Sequence, residues 1–175
     1  MNTRFYKFIV FFSVIALISC DDIQTLPGRP RIEYRNFSIF DTTDILGNSV
    51  KGGRLNFYFE DGDGDLGLAA PGENLSGDSI NLFLKLYRLN DGVISPAPGN
   101  DPLTPTGFRI PYMIRTGVNR ILKGNISVVF LYLFYTTEDT IRYDFFIKDR
   151  AENISNTVST DTIPIFYNGM YEDPS

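Results

Sequence analysis

The sequence predicts an all-β chain: a single antiparallel β-sandwich of about seven strands behind a short N-terminal export segment. Three observations carry this. From residue 31 onward, apolar residues recur at every second position and not at helical spacing. Clusters of Gly, Pro, Asp and Asn break these runs at intervals suited to short strands. A composition that is 43% hydrophobic, with 15 Phe and 10 Tyr in 175 residues, supports one buried core and argues against a disordered chain.

The first segment stands apart from the domain. Arg4 and Lys7 give a basic start, and Phe8 to Ile18 is apolar apart from Ser13. This stretch is too short to span a bilayer, which takes about twenty residues, and has the length of a secretory h-region. Leu17-Ile18-Ser19-Cys20 then precedes Asp21-Asp22. These residues resemble a lipobox. The resemblance implies that residues 1–19 are a lipoprotein signal peptide cleaved before Cys20, with Cys20 lipidated and holding the chain to a membrane. The alternative is an ordinary signal peptide with an incidental Cys. Acidic residues directly after the Cys resemble either an inner-membrane retention signal or, in Bacteroidetes-type lipoproteins, a signal for display on the outer surface. Residues 20–30 read as a lipidated tether with Pro27, Gly28 and Pro30, residues 31–168 as the sandwich, and residues 169–175 as a C-terminal tail.

Strands are expected in order as follows. The first lies near 31–40. In the second, Leu55, Phe57 and Phe59 alternate with Arg54, Asn56, Tyr58 and Glu60. After a Gly- and Asp-rich stretch at 61–79, Ile80, Leu82, Leu84 and Leu86 alternate with Asn81, Phe83, Lys85 and Tyr87. A proline-rich stretch at 91–106 leads to strands near 107–115 and 120–135. Thr136 to Asp139 is short enough to join two strands as a hairpin. Ile141, Tyr143, Phe145 and Ile147 mark the next strand, and 156–166 the last. Ile126 to Tyr135 is apolar on both faces, so it is either a central strand covered by loops or a surface that meets a partner or ligand.

Tyr143 to Ser155, YDFFIKDRAENIS, resembles the penultimate strand and following turn of immunoglobulin-like and fibronectin-III-like bacterial domains through Asp149, Ala151, Asn153 and Ser155. Glu152 stands where Gly is usual, which strains it if that position needs positive φ, unless Asn153 takes the left-handed conformation.

The most distinctive stretch is Phe57 to Leu68, FYFEDGDGDLGL. Asp61, Asp63 and Asp65 alternate with Gly62 and Gly64 directly after a strand, which can aim three carboxylates at one centre and suits a hard cation such as Ca²⁺. The bland alternative is a solvated turn built from good turn formers. The loop is no EF-hand, because Leu66 occupies the position that needs Gly and Gly72 that of the bidentate Glu. Six to eight oxygens require more ligands. Asp78 and Asp149 are the candidate carboxylates and Asn153 a candidate carbonyl, for weak extracellular affinity of about 10⁻⁴ to 10⁻³ M. Together, the early FxFEDGDGDLG and the late YDFFIKDRAxNxS resemble a group of uncharacterised Bacteroidetes surface lipoproteins carrying one immunoglobulin-like domain. That resemblance implies a fold and a place, with no established activity.

Exclusions narrow the function. With no His there is no Ser-His-Asp or Cys-His catalysis and no ordinary zinc site. One Cys allows no internal disulfide. A net charge of -5 argues against a nucleic-acid partner. Thr42, Ser79, Thr140 and Thr162 each follow an Asp in a pattern similar to Bacteroidetes O-glycosylation sites. Tyr58, Phe83, Tyr87 and Phe146 are expected to face outward, with Tyr112 near a loop, as platforms for a glycan. The expectation is therefore a non-enzymatic lipoprotein of the cell envelope, lipid-anchored to the outer membrane and surface-exposed. It would act as a structural or interaction module, with Ca²⁺ as the cofactor and an outer-membrane protein as a partner. The alternative is a glycan-binding accessory lipoprotein in nutrient capture.

Overall fold

The computed structural model describes residues 26–69, 79–105, 107–114 and 120–172. Cys20 and Asp78 lie outside these residues. Among those described, nine strands and no helix occur: β1 (Arg31–Thr43), β2 (Ser49–Asp61), β3 (Leu82–Asn90), β4 (Val93–Pro96), β5 (Leu122–Tyr132), β6 (Thr140–Ile147), β7 (Val158–Ser159), β8 (Ile163–Pro164) and β9 (Gly169–Glu172). They form two antiparallel sheets ordered β5-β2-β1-β9 and β4-β3-β6-β7, with β8 also paired to β6. β1 and β2 pair in the first sheet and β3 and β4 in the second; β5 then returns to the first beside β2, β6 to β8 lie in the second, and β9 closes the first beside β1.

The core forms where the inward positions of both sheets meet. Leu55, Phe57 and Phe59 of β2 are buried, and Ile141, Tyr143, Phe145 and Ile147 of β6 are fully buried opposite them. In β1 the buried residues are Ile32 and Tyr34, then Phe37 and Ile39, so the period-2 pattern jumps by one. A bulge at Arg35 accounts for the jump. Tyr34 pairs with Phe57 while Asn36 pairs with Asn56, leaving Arg35 unmatched. Phe37 then reaches Phe130 at 5.6 Å and Tyr143 at 6.0 Å between ring centroids. Gly53 makes room for this, because a Cβ there would stand 2.7 Å from both Phe37 and Tyr132.

Two polar ties cross the core. The Tyr143 hydroxyl donates to the Leu103 carbonyl at 3.1 Å and lies 3.1 Å from the Tyr132 hydroxyl, joining β6, β5 and the long loop after β4. Burial pushes both phenols above the ordinary tyrosine range. At the end of the core, Arg88 of β3 grips Asp101 through two bonds of 2.8 and 2.7 Å and also bonds Asp139. Arg88 holds the Asp101 carboxyl below the usual range despite its burial.

Several expectations change. Thr136 to Asp139 is not a hairpin, since β5 belongs to one sheet and β6 to the other. It is a corner, closed by the Thr136 amide donating to Asp139 at 2.6 Å. In the segment expected as a strand near 107–115, the described residues 107–114 form none. Phe108 bridges Leu82 and Pro111 bridges Leu68, stitching both sides without forming a ladder. The proline-rich stretch hides β4, made by a two-residue hairpin in which Asp91 (φ 51°) and Gly92 (φ 78°) are both left-handed, as a type I′ turn requires. Strand 156–166 breaks into β7 and β8. Gly169–Glu172, expected as part of a tail, pairs with β1 at Asn36 to Ile39. Finally, among the described residues β5 is an edge strand and not a central one.

The tyrosine tie makes a measurable prediction. Tyr143→Phe strands the Leu103 carbonyl and the Tyr132 hydroxyl in the core, so its unfolding free energy in denaturant titration should fall by about 1–3 kcal/mol. Tyr58→Phe, whose hydroxyl bonds Glu60 on the outer face, should stay within about 0.5 kcal/mol of the parent.

Candidate metal centre

The loop after β2 turns inward at once. Asp61, the last residue of β2, is fully buried, and its Oδ2 accepts the Leu66 amide at 2.7 Å. That bond curls residues 61–66 into a tight arc. The two glycines inside the arc serve different ends. Gly64 has φ +68°, a conformation costly for any residue with a Cβ. At Gly62 a Cβ would stand 2.3 Å from the Leu26 carbonyl oxygen and 2.4 Å from that of Pro27. The Gly62 amide donates to Pro27 at 3.2 Å, so the segment entering the domain lies directly on the acidic loop.

From the second sheet, the turn after β6 delivers Asp149, which is 1% exposed. Carboxylate oxygens of Asp61, Asp63, Asp65 and Asp149 all lie within 4.8 Å of one another. This cluster can hold a metal ion. Asp61 Oδ1 and Asp65 Oδ1 are buried and receive no hydrogen bond. Burial, followed by the hydrogen bond to Asp63 and the charges of Asp63 and Asp65, pushes the Asp61 carboxyl up to about 6 against the Leu66 amide. Burial, then the charges of Asp149 and Asp63, pushes Asp65 up to about 6 as well, with Arg150 opposing.

Arg150 ties the turn to the loop. Its side chain donates to the Gly67 carbonyl at 2.8 Å and stacks over the Tyr112 ring at 4.9 Å. Sequence reasoning passed over this residue; its place beside Asp149 in the YDFFIKDRA run was the available signal.

Asn153 meets the cluster through its donors. Its backbone amide donates to Asp149 Oδ1 at 2.8 Å and its side-chain amide to Asp149 Oδ2 at 2.9 Å, so it presents donors and orients the carboxylate. Glu152 does adopt φ 67°. It carries the left-handed position itself, with its carboxylate 2.8 Å from Lys148.

The other candidate residues are scattered. Thr42 is half-buried near the end of β1, Thr140 opens β6, and Thr162 is half-buried beside Asp161; of the four, only Ser79 is exposed. Among the outward aromatics, Phe83 and Phe146 stack on each other at 5.0 Å and 16°. Tyr87 meets Lys85 and Arg142 at 5.1 and 4.7 Å, and Tyr58, on the other sheet, meets Arg35 at 5.2 Å. Faces that a sugar would use are thus engaged by neighbouring side chains. Comparison with protein-family models, curated proteins and solved structures finds no match to this chain.

The raised carboxyls set a pH dependence for the metal-free protein. Asp61 and Asp65 titrate at about 6 when folded, above the ordinary aspartate value of 3.8, so the folded state binds protons more tightly. Their contribution is full below the unfolded value and lost as pH rises through about 6. In chelator, Asp61→Asn should therefore gain stability relative to the parent between about pH 4 and pH 7. Thermal melts across that range check this, and a constant difference would contradict it.

Proposed function

We propose that this chain is a non-catalytic, lipid-anchored envelope protein whose domain is locked at its anchored end by a bound Ca²⁺. The observation that carries this reading is the convergence of four carboxylates on one centre, two of them with buried oxygens lacking donors. Such a centre favours either protons or a cation, and near neutral pH a cation neutralises it better. An all-oxygen donor set selects a hard ion. A flexible glycine loop suits the irregular six- to eight-oxygen shell of Ca²⁺ better than the strict octahedron of Mg²⁺. Asp149 and Asp61 are positioned by amide donors, which fits ligands better than groups that must exchange protons in catalysis.

The location of the centre supports the anchor. Leu26 and Pro27 lie against Gly62, and a Cβ on Gly28 would stand 2.8 Å from Asp63 Oδ2. Leu26 stands only six positions after Cys20, a reach of about 20 Å when extended. A lipid on Cys20 would therefore hold the acidic end close to the membrane and direct the opposite end outward, where a structural or interaction role with an outer-membrane partner would be served.

Thermal unfolding of residues 21–175, with Ca²⁺, Mg²⁺ or chelator, tests the cation. Ca²⁺ at ten times its Kd should stabilise by about 1.4 kcal/mol, a rise of a few degrees for a domain of this size. Asp61→Asn should abolish the rise while keeping the Leu66 bond. Identical curves in Ca²⁺ and chelator would remove the cation from this reading. Palmitate labelling of the full chain in a lipoprotein-processing bacterium, lost in Cys20→Ala, separately tests the anchor.

A further inference from the structure

The segment that enters the domain ahead of β1 touches both of the loops that carry the acidic centre. Toward the first sheet, the Pro27 carbonyl accepts the amide of Gly62, which stands between Asp61 and Asp63 in the chain, at 3.2 Å. Toward the second, the Arg29 side chain donates to the carbonyls of Ile154 and Ser155, just past the turn that presents Asp149. The four carboxylates come from those same two loops, Asp61, Asp63 and Asp65 from one and Asp149 from the other. Gly28 lies between the two fastenings, against Asp63. A Cβ on it would stand 2.8 Å from Asp63 Oδ2 and 3.4 Å from Asp63 Cγ, while Asp63 Oδ1 is buried.

We infer, on the reading of this centre as a Ca²⁺ site, that residues 26–29 form a strap that the ion fastens, so that bound Ca²⁺ and the docked strap each strengthen the other. Two observations carry this. First, ion and strap span the same pair of loops. Either one, by fixing the spacing of those loops, prepares the site of the other, and linkage makes the effect equal in both directions. Second, Asp63 is shared. With an ion bound, its carboxylate is drawn to the centre and Gly28 seats against it. With none, the like charges of the cluster repel at close range, and any swing of Asp63 toward Gly28 lifts the strap. The consequence is a tether of two lengths. With the strap docked, the free chain from Cys20 ends at Leu26. Released, it runs to the buried Pro30, ten positions from Cys20 and about 33 Å when extended. Calcium thereby sets how far the domain stands from its anchor.

Calorimetric titration of residues 21–175, which keep every described residue, with Ca²⁺ alone tests the coupling. Gly28→Ala sets a methyl group against the movable end of Asp63, so in chelator it should melt within about 2 °C of the parent. Its Ca²⁺ affinity should fall about tenfold, because either Asp63 leaves the centre or the strap leaves the loop. Gly99→Ala, where nothing stands within 4 Å of the new Cβ, should bind as the parent does. Arg29→Gln separates the strap from simple electrostatics. Removing a positive charge from the segment beside four carboxylates would by itself tighten cation binding, whereas unfastening the strap should weaken it about fivefold. Either Gly28→Ala or Arg29→Gln binding as tightly as the parent, or more tightly, overturns the coupling and leaves the cation site standing. If Gly28→Ala does not fold, Arg29→Gln decides by the same criterion. A parent that takes up no Ca²⁺ overturns both the strap and the site.

Discussion

The sandwich depends on keeping one face of β1 turned toward the second sheet along its whole length. A strand of thirteen residues with strict alternation would either hold Phe37 in the core or Tyr34, but not both. The extra residue at Arg35 resolves this, letting Ile32 and Tyr34 point inward before it and Phe37 and Ile39 after it. Phe37 is the ring against which Phe130 and Tyr143 pack, so the aromatic contact between the sheets at that point rests on the insertion. Arg35 itself lies outward over Tyr58, where an unpaired backbone position can be solvated.

Much of this was legible in the residues. Alternation in β2, β3 and β6 placed their buried faces correctly, because each is half-buried and runs without a bulge. The Asp-Gly pair at 91–92 announced a hairpin but sat in a stretch dominated by prolines, and β4 went unread for that reason. Local turn chemistry made Thr136 to Asp139 look like a hairpin as well. Whether a tight link joins strands within a sheet or between sheets depends on what the next strand finds to pair with, and that is non-local information. The same holds for β5: apolar residues on both faces describe a central strand and an unguarded edge equally well.

The acidic loop shows the same division. Alternating Asp and Gly correctly pointed to three carboxylates converging, and Asp149 joined them as expected. What spacing could not convey was the direction of each dipole. Asn153 stands close to the centre, but the two amide groups nearest the cluster are donors, and they serve Asp149. Asp61 is the opposite case. As the end of a buried strand it has little water around it, so its charge is costly.

The close approach of Leu26 and Pro27 to Gly62 also has a mechanical side. A pull on the chain ahead of Leu26 first meets the Pro27 bond to Gly62 and the Arg29 bonds to Ile154 and Ser155, then passes lengthwise into β1. β1 lies between β2 and β9, and its ladder with β2 extends from Arg31 to Thr43. Tension along that axis loads many rungs in shear at once and does not unzip them one after another. The line by which the domain would be tethered is thus one along which β1 is held by a ladder from Arg31 to Thr43.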